Sequence, residues 1–136
     1  MKTRLSLLLA ALAATTLVPA AAHEPPATSA PAPRLADLAP PADGASERKV
    51  TPIGQYGATR VMQLQLKAGT TMPAHAAPER VLVVVLAGRG SFGFGTEQVP
   101  LHGRQVLHMA PGEEHSVNAE TDLDLLLVRI DEATSD

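Results

Sequence analysis

GTTMPAHAAPERVLVVVLAG, residues 69–88, decides the fold of this chain. Residues 81–87 are apolar at both parities, rich in β-branched valine, and bounded by Pro78 on one side and Gly88-Arg89-Gly90 on the other. A run this short with Gly and Pro punctuation reads as a strand, and side chains apolar at both parities predict a central strand covered on both faces. Before it, Met62, Leu64 and Leu66 alternate with Val61, Gln63 and Gln65, the period of a strand with one apolar face across residues 59–67. After it, Phe92 and Phe94 alternate with Ser91 and Gly93, Gly95-Thr96-Glu97 turns, and residues 98–101 return. His102-Gly103-Arg104 turns again before residues 106–109, Pro111-Gly112 forms another turn, and residues 123–130 make a strong closing strand. Short strands at intervals of about 8–12 residues, with no long helical stretch between them, predict an all-β antiparallel sandwich or barrel. A jelly roll suits a small domain because it manages the sheet edges.

The rest of the chain bounds the function. It has 136 residues and no cysteine, which excludes disulfides and thiolate metal sites. Lys2 and Arg4 precede an apolar stretch over residues 5–17 and the small residues Ala20-Ala21-Ala22. That order predicts a signal peptide over 1–22, an exported product, periplasmic or extracellular, and no stable membrane span after processing. Residues 23–48 are rich in alanine and proline, including Pro25, Pro26, Pro31, Pro33, Pro40 and Pro41, and read as an extended linker or loosely docked arm. The folded domain is expected over 49–132. A formal net charge of −3, with one Tyr, two Phe and no Trp, argues against nucleic acid, which needs basic surface and stacking platforms.

Spacing carries the chemistry. Gly69 is followed by five residues and then His75, the apolar strand ends at Gly88, and Gly112 is followed by two residues and then His115. This arrangement resembles the two motifs of the cupin superfamily over residues 59–130, in the manner of its small single-domain, cupin type-2-like members. The resemblance implies a small jelly-roll β-barrel whose interior often holds a divalent metal on two histidines two apart, a glutamate and a later histidine. Carried over residue by residue, the first histidine falls on His75, the second on Ala77, the glutamate on Val81 and the last histidine on His115. Two of the four ligand positions are therefore apolar, and the metal motif is degenerate.

Two imidazoles alone leave most of a coordination sphere to solvent, whereas tight sites use three or more protein ligands with a balancing carboxylate. Glu79, two residues before Val81, is the candidate replacement, giving His75, His115 and Glu79 as a metal set for Zn, Fe, Ni, Mn or Cu. Its bland alternative is a solvated carboxylate at the barrel mouth near Arg80. The expectation is that no metal is held tightly. His75, His115, Val81 and Asn118 are expected to line a pocket for a small-molecule ligand. His108 reads as a hydrogen-bonded or snorkelling side chain, and His102 as a solvent-exposed turn residue. The leading reading is an exported small-ligand-binding module; a metal-dependent dioxygenase or isomerase and a structural or partner-binding barrel are the alternatives. A small core also predicts a homodimer.

Overall fold

The computed structural model describes residues 32–41 and 46–132. The expected signal peptide, its expected cleavage site and residues 23–31 of the expected arm lie outside the described residues. Nine strands run in chain order: β1 Arg48–Tyr56, β2 Thr59–Leu66, β3 Thr71–Ala76, β4 Arg80–Ala87, β5 Arg89–Phe94, β6 Glu97–His102, β7 Gln105–Met109, β8 Glu114–Ala119 and β9 Leu123–Ile130. They form a five-stranded sheet ordered β1-β2-β9-β4-β7 and a four-stranded sheet ordered β3-β8-β5-β6. Every pairing is antiparallel. The chain is an all-β jelly roll.

The two hairpins, β1–β2 and β5–β6, stay within one sheet, while the other connections carry the chain from one sheet to the other. Alternation decides which side chains meet between the sheets. Leu64, Leu66, Val83, Val85, Leu123 and Leu125 are buried from the five-stranded side, and Phe92, Leu101, Val117 and Ala119 from the four-stranded side.

β4 departs from the sequence expectation. Val81, Val83 and Val85 are buried, but Leu82, Val84 and Leu86 on its outer face are only half-buried. The outer face is partly covered because the sheet packs its other side alone against the four-stranded sheet. Across from Val84 on β7, Val106 is 67% exposed.

Covering of the outer face is concentrated at β2, where the arm lies. Gln63 is fully buried although it points outward, because residues 32–41 run past it. Its Oε1 accepts from the Ala39 amide at 2.7 Å, and its Nε2 donates to Ala39 O at 3.1 Å and to Asp124 Oδ1 at 2.8 Å. Gln65 Nε2 donates to Pro40 O, and Tyr56 OH to Pro33 O, each at 2.9 Å. A primary amide pairs with a peptide unit as another peptide would, so the two outward glutamines of β2 anchor a proline-rich segment that cannot form a full strand ladder.

Candidate functional site

The site begins at one pair of residues. β3 and β8 pair so that His75 stands directly opposite His115, after a register irregularity between Met72 and His75 that includes Pro73. A bulge of this kind re-aims side chains, and Pro is tolerated because β3 is an edge strand. The ring centroids lie 4.4 Å apart at a tilt of 57°. His75 Nδ1 donates to Pro73 O and His115 Nδ1 to Glu113 O, each at 2.9 Å. A carbonyl only accepts, so each Nδ1 must carry the hydrogen, which leaves each Nε2 free of this restraint. His115 is buried and stacks on Phe92 at 5.9 Å, while His75 stays exposed.

Behind the histidines a cavity of about 380 Å³ opens between the sheets. Its walls are mainly apolar: Leu64, Val81, Val83 and Leu127 from one sheet, Phe92 and Val117 from the other. Met62, Met72 and Met109 also line it, flexible thioethers suited to an irregular space. The volume falls within the range of small-molecule sites, about 300–1,000 Å³.

Glu79 closes one end of the barrel. Arg60 on β2 stands directly opposite Arg129 on β9, a like-charge pairing that is unfavourable by itself. The Glu79 carboxylate offsets it, accepting from Arg60 Nη2 at Oε1 and from Arg129 Nη2 at Oε2, the latter at 2.5 Å. Glu79 is 8% exposed. The hydrogen bond from Arg129 is the main cause holding its carboxyl below the usual range, with burial opposing and the charges of Arg129 and Arg60 assisting. Glu79→Gln is expected to lower stability at neutral pH by about 1–3 kcal/mol, since it leaves two facing guanidiniums without their anion. A carboxyl depressed in the folded state contributes stability above its unfolded value and loses it as pH falls through the folded value. The gap between wild type and variant in urea denaturation should therefore close on acidification; a gap that stays constant would contradict this role.

The expected site residues divide. His75, His115 and Val81 line the cavity. Asn118 does not: on β8 the buried parity is His115, Val117 and Ala119, so Asn118 faces outward, where its Oδ1 accepts from Thr71 Oγ1 at 3.1 Å. Nor does Glu79 behave as either sequence reading supposes, being buried and bound by two arginines rather than solvated or turned to the histidines. His108 is exposed and accepts from Arg80 Nη1, while Nε and Nη2 of the same arginine donate to Glu132. His102 is exposed but ends strand β6, just before the turn, with Nδ1 donating to Gly103 O at 3.0 Å. Arg48 and Arg129 line the cavity and were not expected. A signal for Arg129 exists in the sequence, because it continues the inward series Leu123, Leu125, Leu127 along the closing strand.

The metal that the fold implies does not fit these residues. The two remaining canonical positions are Ala77 and Val81, Glu79 is taken by Arg60 and Arg129, and the Arg129 cation borders the same space. Among the described residues no group of three or more His, Cys, Asp or Glu side chains is placed to hold a metal ion.

A jelly roll of this topology, with paired histidines on β3 and β8 facing an open interior, is a cupin barrel. The chain belongs to the AraC-like ligand binding domain family, whose model matches residues 64–134. Among solved structures it is similar to an RmlC-like cupin protein from Desulfovibrio desulfuricans, at 24% identity and a TM-score of 0.58, covering 71% of this chain and 92% of that one. A cupin superfamily protein from Desulfitobacterium hafniense gives 14% identity and a TM-score of 0.60, over 65% and 84% of the two chains. A predicted oxalate decarboxylase from Thermotoga maritima gives 24% identity and 0.56, over 61% and 79%. At these identities the likeness is one of fold. No curated protein matches the chain.

Proposed function

We propose that the protein is an exported small-ligand-binding module that holds an organic molecule in the cavity behind His75 and His115, with no resident metal. The observation that supports this is the cavity itself: an apolar interior left open in a small barrel, with only Arg48, His75, His115 and Arg129 as ionisable groups in its lining. An interior serving structure alone would be filled to native packing density. The AraC-like ligand binding family is consistent with the reading. The test uses the neutral fluorophore N-phenyl-1-naphthylamine. Wild type is expected to bind it with enhanced emission, and Met72→Trp, which fills the cavity from β3, to lose that binding while staying folded. Equal binding by both proteins would contradict the proposal.

Two further parts of this reading have their own measurements. Export predicts a mature chain beginning at His23, or at Ala21 if cleavage uses Val18-Pro19-Ala20; an intact mass retaining Met1 would contradict it. A homodimer through the outer face of the five-stranded sheet would cover Leu82, Val84, Leu86 and Val106, which one barrel leaves partly bare. Sedimentation at micromolar concentration should show a dimer that Val106→Glu dissociates; a monomeric wild type would contradict it.

A further inference from the structure

We propose that the cavity takes its ligand as an anion, a carboxylate-headed molecule with an apolar body, seated on Arg129. The inference rests on the ligand-binding reading above and names the chemistry that the cavity selects.

Four of the residues lining the cavity are of ionisable types, Arg48, Arg129, His75 and His115, and all four are basic types; no aspartate or glutamate lines it. Arg48 makes no ion pair among the described residues. The chain as a whole is acidic, so a lining of basic types alone is local to the cavity and not a general property of the surface.

Arg129 also carries an unused donor. Arg129 Nη2 is held by Glu79, but Arg129 Nε is buried and has no hydrogen-bond partner among the described residues. A buried N–H on a charged group is costly when unpaired. Ligand carboxylate oxygens match the planar donor edge of a guanidinium better than a hydroxyl or amide would. Glu79 holds Nη2 and competes for the cation, but it leaves Nε without a partner. The two Nε2 atoms of His75 and His115 offer further polar contacts at the mouth. Beyond these groups the walls are apolar, with Val83 and Phe92 almost fully buried, so the rest of the ligand is hydrocarbon-like.

Isothermal titration of the full, EDTA-treated protein with octanoate, octanamide and octylammonium tests the assignment. Octanoate is expected to bind at least about tenfold more tightly than octanamide, and octylammonium least. Glu79→Gln, which releases the second carboxylate from Arg129, should strengthen octanoate binding. Arg129→Gln should erase the preference; because it also strands Glu79, the charge-neutral pair Arg129→Gln with Glu79→Gln is made alongside and should erase it in a folded protein. Equal affinities for octanoate and octanamide in wild type, with N-phenyl-1-naphthylamine still binding, would overturn the anion assignment and leave the ligand-binding reading standing. Absence of naphthylamine binding as well would overturn both.

Discussion

Gly88→Ala is expected to destabilise the domain by about 2–5 kcal/mol, a large part of what a small fold possesses. Gly88 is the corner at which the chain leaves β4 in the five-stranded sheet and enters β5 in the four-stranded one. Its φ of +93° is hard for any residue with a Cβ, a strain of about 1–2 kcal/mol. An added Cβ would also lie 2.1 Å from the carbonyl oxygen of Asp122. That neighbour is backbone at the entrance to β9, which must shift, adding about 1–3 kcal/mol. Gly57, in the β1–β2 turn, is the control: its φ is +61°, but a Cβ there meets nothing within 4 Å. Gly57→Ala should therefore show the strain alone. Equilibrium denaturation of the two variants separates the contributions, and equal losses would contradict the close packing at the corner that spaces the two sheets.

Restoring the missing ligands should change metal affinity more than any other substitution considered. His75 and His115 face each other, and Ala77 and Val81 border the same cavity. Ala77→His with Val81→Glu adds an imidazole and a carboxylate to that pair. Each new ligand has to supply only about 1.4 kcal/mol for a tenfold gain, so the double variant should bind Zn²⁺ about a hundredfold more tightly than wild type. Val81 is paired in register with Arg129, so the new carboxylate also offsets the positive charge that disfavours a cation there. Wild type is expected to bind Zn²⁺ in the micromolar range or more weakly. Stoichiometric tight binding by wild type in calorimetric titration would contradict the account of a cavity without a metal set.

Much of the barrel was legible because its inner strands announce themselves. β2 and β5 carry large apolar residues at the period of two, β4 and β9 are near-continuous apolar runs, and Gly or Pro residues mark the ends of β2, β4 and β5. The edge strands β1 and β3 did not show. β3 reads TMPAHA, with Pro73 and small or polar side chains, and β1 contains Pro52 and a register irregularity before Gly54. Both owe their extended form to a neighbouring strand and not to a face of their own. The site was legible where spacing is local: His75 and His115 follow glycine turns at fixed offsets. Asn118 was misplaced because its parity depends on where β8 begins, and a slip of one residue reverses a side chain. The fate of Glu79 depends on Arg60 and Arg129, distant in sequence and brought beside it only by the order β2-β9-β4. The burial of Gln63 and Gln65, which alternation alone marks as outward and polar, likewise required the arm to be seen lying over them.

The central claim is that the space between the sheets is the ligand site and works without a metal. Backbone amide resonances followed during titration of the EDTA-treated protein with N-phenyl-1-naphthylamine test it most directly. The account predicts shifts concentrated at His75, Val83, Phe92, His115 and Arg129, unchanged in pattern when Zn²⁺ is added. Shifts spread over the outer faces of the sheets, or appearing only once Zn²⁺ is present, would contradict it.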